Sequence, residues 1–91
     1  MKNLSPIERE ALLLELLEKL TKKEISAGKL LANLRKDILG MNQDTYAALV
    51  GISRRTLSDI ENNSGNQTLP VMNTAFKPFG LTWGLQLARP P

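Results

Sequence analysis

The segment from Asn42 to Asn62 constrains this chain more than any other part of it, because it holds two short helix patterns, each with its own start signal, separated by three residues. Asn42 is placed to cap a helix over Gln43 to Val50, since a side-chain oxygen at that position accepts from the first free backbone N–H groups. Gly51 halts that helix by tolerating positive φ. Ser53 then caps a second helix over Arg54 to Asn62. Ala47 is small where two helices joined in this way cross, and Val50, Ile52, Leu57 and Ile60 supply the apolar side that packs underneath.

The flanking segments read as further helices. Ser5-Pro6-Ile7-Glu8 combines a capping serine, a proline at the first helical position and the glutamate of a capping box, which predicts a first helix from Pro6 to about Lys23. Along it Ile7, Ala11, Leu13, Leu14, Leu16, Leu17 and Leu20 recur at spacings of three and four, and Leu12 widens the stripe. That is more apolar face than one neighbour covers, so the helix either completes the core or offers a dimerisation or partner-docking surface. A break is expected around Ser26 to Gly28. Leu30, Leu31, Leu34 and Ile38 then place a second stripe on a helix that ends at Gly40. Past the central pair, Asn62 to Gln67 has turn chemistry throughout, and Thr68 caps a last helix from Leu69 to about Lys77, with Pro70 tolerated in its first turn and Pro78 and Gly80 ending it.

The chain's end changes period. Leu81, Trp83, Leu85 and Leu87 alternate with Thr82, Gly84 and Gln86, the pattern of a half-buried strand. No other segment reads as strand, so the simplest partner is the same strand from a second copy, paired antiparallel across a two-fold axis. The expected fold is mainly α, in three parts: an N-terminal amphipathic helix over 1–25, a helical domain over 26–80, and a dimerisation strand and tail over 81–91.

Composition narrows the function. The 91 residues suffice for one domain and contain no Cys and no His, which removes thiolate metal sites, disulfides and the commonest general base. No glycine-rich phosphate loop or paired-carboxylate motif replaces them, so neither an enzyme nor a bound cofactor or metal is expected. The longest apolar run, Leu12 to Leu14, is far short of the ~20 residues that cross a bilayer, and a cytoplasmic location is expected. A net charge of +3 argues only weakly for nucleic acid, because the first 25 residues are neutral and the surplus is spread over the rest.

Residues Met41 to Asn63 resemble the helix-turn-helix of the phage-repressor (Cro and Xre type) family, with Gln43, Ala47, Gly51, the Ile60-Glu61-Asn62 end and Lys36 four before Gly40 at that family's spacing. The likeness covers about residues 26 to 80. It implies a five-helix DNA-binding domain in which the helix begun by Arg54 enters the major groove. On that resemblance Arg54, Arg55, Ser58 and Asp59 face the bases, with the two arginines suited to bidentate readout of guanine and Asp59 able to accept from cytosine or to reject other sequences. Asn42, Gln43, Ser53 and Asn62 match the family's phosphate contacts. Lys36 and Glu61 resemble an ion pair tying the preceding helix to the end of the groove-reading one. Tyr46 stands where the family has an aliphatic core residue, so it either packs or leans toward DNA.

Glu61-Asn62-Asn63, the Thr68-Leu69 helix start and the Phe79-Gly80-Leu81 junction further resemble the HipB-type antitoxins. The implied function is a homodimeric repressor of a palindromic operator, and within that subgroup an antitoxin that holds a HipA-like kinase toxin. A stand-alone or phage-type regulator, and a protein-interaction adaptor on the same fold, remain as alternatives.

Overall fold

A computed structural model describes residues 4–84. Among them the chain forms α1 (Pro6–Thr21), α2 (Ala27–Asn33) running directly into a π-helical turn (Leu34–Leu39), α3 (Gln43–Val50), α4 (Arg54–Glu61) and α5 (Leu69–Phe76), followed by a 3-10 turn (Lys77–Phe79). Every expected cap is made. The Ser5 N–H donates to Glu8 Oε1 at 2.9 Å while the Glu8 N–H donates to Ser5 Oγ at 3.1 Å, and Asn42, Ser53 and Thr68 each accept from the N–H three residues on. Gly40, Gly51 and Gly80 close their helices in the left-handed region, at φ of 63°, 80° and 70°.

Two helix boundaries and one helical turn differ from expectation. Helix α1 stops at Thr21 because Lys23 takes a left-handed φ of 62° and the Glu24 N–H reaches back to the Lys19 carbonyl at 2.8 Å, a C-terminal stop built without glycine. The break before the second helix ends at Ser26, which caps α2 by accepting from the Lys29 N–H at 3.1 Å, so Gly28 lies inside the first turn. It is buried there. A Cβ at Gly28 would stand 2.5 Å from both the Ile60 and the Glu61 carbonyl oxygens, so glycine lets the start of α2 lie directly against the end of α4.

The third difference is the π-helical turn, in which the Gly40 N–H bonds to the Arg35 carbonyl, five residues back. A π turn takes up more residues than an α turn, so side chains beyond and within it are rotated relative to the α-helical reading.

The core gathers Leu16 of α1, Leu30, Leu31, Leu34 and Ile38 of α2 and its π turn, Tyr46 and Ala47 of α3, Leu57 and Ile60 of α4, and Ala75 and Phe76 of α5. Each large apolar side chain so covered contributes roughly 1.5–3 kcal/mol. Tyr46 resolves toward packing: it is fully buried, donates its hydroxyl to the Ala75 carbonyl and stacks on Phe79 with ring centroids 6.1 Å apart. Burial pushes its phenol pKa well up.

The expected C-terminal strand does not form among the described residues. Residues 81–84 instead run back over their own domain: the Trp83 N–H donates to Asn73 Oδ1 at 2.6 Å and its indole meets Phe76 edge-on at 5.5 Å. Leu81 and Trp83 line a small apolar cavity of about 100 Å³ with Leu17, Leu20, Leu30 and Phe76. Alternation requires one covered face, and the domain's own α1, α2 and α5 supply it. Leu85 and Leu87 lie outside the described residues.

Candidate nucleic-acid interface

Helices α3 and α4 are joined by Gly51, Ile52 and Ser53, and Ala47 and Leu57 are buried where they pack. Side-chain contacts fix how the start of α3 sits over α4. Gln43 Nε2 donates to Glu61 Oε1 at 3.0 Å, near the C-terminal end of α4, while Asp44 Oδ1 lies 3.5 Å from Arg54 Nε at its N-terminal end. The first turn of α3 is thus tied to both ends of α4, and its Gln43 and Asp44 backbone N–H groups have no hydrogen-bond partner among the described residues.

Leu57 and Ile60 turn inward, which leaves Arg54, Arg55, Ser58, Asp59 and Asn62 along the outer side of α4. Arg54 and Arg55 are exposed, and Arg55 has no ion-pair partner among the described residues. The other side chains are partly committed. Asn62 Nδ2 donates to Ser58 Oγ at 3.3 Å, and Ser64 donates its hydroxyl to Asp59 Oδ1 at 3.4 Å, so the carboxylate is drawn toward the following loop. Ser53 accepts from the Thr56 N–H at 3.0 Å and donates to Thr56 Oγ1 at 2.8 Å, while Asn42 Oδ1 accepts from the Thr45 N–H at 2.8 Å. Both therefore act first as caps, with the Asn42 amide N–H groups left over.

The pair that anchors α4 is not the expected one. Arg35, rather than Lys36, reaches Glu61, through Nε to Oε2 at 2.7 Å and Nη2 to Oε1 at 2.8 Å, and Nη1 also donates to the Met41 carbonyl at 2.8 Å. The π turn accounts for the change, because it turns the residue one place earlier toward α4, leaving Lys36 exposed. Both side chains of the Arg35–Glu61 pair are only 6% exposed. Burial alone would raise the Glu61 carboxyl, but hydrogen bonds from Arg35 and Gln43 and the charges of Arg35 and Lys36 together hold it below the ordinary value of 4.5. The Glu61 hydrogen bond, against the opposing effect of burial, raises Arg35.

A second tie is made by Asn63, a residue expected in the turn after α4 and in the antitoxin-like Glu61-Asn62-Asn63 segment. Held at a left-handed φ of 56°, it accepts the Gly28 N–H at 3.0 Å and donates to Ser26 Oγ at 2.9 Å. The signal for it was present: asparagine is the side-chain-bearing residue that most readily adopts this conformation. Nothing in the sequence pointed to Arg35.

Two short helices crossing through a glycine turn, with the second presenting paired arginines to solvent, define a helix-turn-helix DNA-binding domain. The family model described as Helix-turn-helix matches residues 31–84, more than half of the chain. The chain belongs to this family, in its phage-repressor-like form. No curated protein and no solved structure matches it. No described helix is long and apolar enough to cross a membrane.

Proposed function

We propose that this protein is a sequence-specific transcriptional repressor that binds a palindromic operator as a homodimer, with α4 in the major groove. The observation that carries the reading is the division of labour on α4: its outer side offers Arg54 and Arg55, while its end is locked to α2 and α3 by Glu61 and Asn63. A locked helix places two guanidinium groups at fixed register, which bidentate recognition of guanine requires. Ser58 and Asp59 complete the base-facing set. The Gln43 backbone N–H, with Asn42, Ser53 and Asn62, supplies phosphate contacts that set register without reading sequence, while the Gln43 amide stays on Glu61.

The dimer reading rests on the two-fold operator symmetry that domains of this class use, since Leu81 and Trp83 are covered within the domain itself. The likeness of the Glu61-Asn62-Asn63, Thr68-Leu69 and Phe79-Gly80-Leu81 segments to HipB-type antitoxins extends the proposal: the repressor controls its own toxin–antitoxin operon and holds a HipA-like kinase toxin. Footprinting on the chain's own upstream DNA, with mass measured in solution, tests the repressor reading. Two protected half-sites about 10 base pairs apart, bound by a dimer, are expected. A single unpaired footprint bound by a monomer contradicts the homodimer. The antitoxin part is tested by co-expression with the product of an adjacent kinase-like reading frame, where failure to co-purify overturns it.

A further inference from the structure

Helix α1 carries a second apolar stripe that the described residues leave uncovered. Leu16 is buried, and Leu12, Leu13, Leu17 and Leu20 pack against the core. On the opposite side Ile7 is 82% exposed, Leu14 is 57% exposed and Ala11 between them is exposed, spaced i, i+4 and i+7 as in the anchors of a docking helix. Helical geometry places Glu10 along one flank of this stripe, Glu8 and Glu15 along the other, and Glu18 at its C-terminal end. All four are exposed. Glu18 is neutralised by Lys22 at 2.8 Å, whereas Glu10 and Glu15 form no ion pair among the described residues.

We infer that this acid-flanked stripe docks against a basic amphipathic helix of another protein, its Ile7, Ala11 and Leu14 meeting apolar residues and Glu10 and Glu15 meeting lysines or arginines. The flanking charges decide between that occupant and a second copy of this chain. With the stripe as the seam of a parallel pair, Glu10 of one copy would face Glu15 of the other. In an antiparallel pair Glu10 would meet Glu10, and Glu8 would meet Glu15. Both self-pairings set like charges against each other at the flanking positions that choose partners in helix pairs. A helix with basic flanks satisfies the same positions. The inference is independent of the DNA reading.

The test uses the full-length, isotope-labelled protein without DNA and two synthetic amphipathic peptides, one with leucine on its apolar face and lysine on its flanks, the other with glutamate in place of lysine. The lysine peptide is expected to bind at least about tenfold more tightly, with chemical-shift changes centred on Ile7, Ala11 and Leu14. Leu14→Asp, or Ile7→Asp as a second variant should the first unfold, abolishes that binding with the helical circular dichroism retained. The double variant Glu10→Lys, Glu15→Lys reverses the peptide preference. Equal binding of both peptides, or none, overturns the inference. So does a dimer that dissociates on Leu14→Asp, which assigns the stripe to a second copy, or methyl contacts from Leu85 or Leu87 to Ile7 and Leu14, which assign it to the chain's own tail.

Discussion

The two ends of α4 are built on opposite principles. At the C-terminal end Glu61 is buried, receives three hydrogen bonds from Arg35 and Gln43, and is followed by Asn63 fastened to the start of α2. At the N-terminal end Arg54 meets Asp44 at 3.5 Å with both side chains about two-thirds exposed, and Arg55 is exposed beside it. A buried bidentate pair fixes geometry, and removing either member leaves a desolvated charge. An exposed pair is screened by water and salt and holds its partners loosely. One end sets where the helix lies; the other remains free to exchange Asp44 for a nucleic-acid partner.

This contrast predicts an order of effects. The largest belongs to the buried end: Arg35→Met strands the Glu61 carboxylate and is expected to cost about 3–5 kcal/mol in chemical denaturation. If Lys36→Met costs as much and Arg35→Met little, the anchoring role assigned to Arg35 is wrong. Gly28→Ala comes next. Its methyl group must displace two backbone carbonyls, so a loss of about 1–3 kcal/mol is expected, with α2 and α4 forced apart.

At the exposed end, Arg55→Ala is expected to leave stability within about 0.5 kcal/mol while removing roughly 1–3 kcal/mol of discrimination at one base pair. Competition assays against single-base operator variants measure it, and a uniform loss across all variants would reassign Arg55 to phosphate. Asp44→Asn should also change folding little, by under about 1 kcal/mol. Binding to DNA should tighten, because an acidic competitor for Arg54 has been removed from beside the N-terminus of α3, the proposed phosphate-facing end. Unchanged or weaker binding would mean that the pair positions Arg54 for DNA rather than competes for it.

The buried end also makes stability depend on pH. Glu61 has a folded pKa below its ordinary value, so its contribution is fully present above about pH 4.5 and is lost as pH falls through the lower folded value. Acid titration of stability should therefore show a downward limb in that window, and Glu61→Gln should flatten it. A limb of equal steepness in the variant would assign the acid sensitivity elsewhere.

What could be read from the sequence follows the same division. Signals confined to a few neighbouring residues were legible: Ser5, Asn42, Ser53 and Thr68 as caps, Gly40, Gly51 and Gly80 as stops, and the outward row of Arg54 and Arg55. Features that depend on two distant segments meeting were not. Gly28 looks like a breaker until the carbonyls of Ile60 and Glu61 are placed over it. The replacement of Lys36 by Arg35 depends on a π turn that has no side-chain signature of its own. The alternation at Leu81 and Trp83 was read correctly as one covered face, but it does not say which surface provides the cover, and Phe76 with its neighbours does so within the domain.

On the proposed function, α4 is a locked helix whose exposed arginines read sequence. The most direct test titrates the protein against its own upstream DNA and a scrambled duplex of equal length at two salt concentrations, alongside the double variant Arg54→Ala, Arg55→Ala. Salt-sensitive binding that prefers the upstream DNA is expected, with a variant that binds both duplexes alike. Equal binding of the two duplexes by the unaltered protein, or a preference that survives loss of both arginines, would contradict that role of α4.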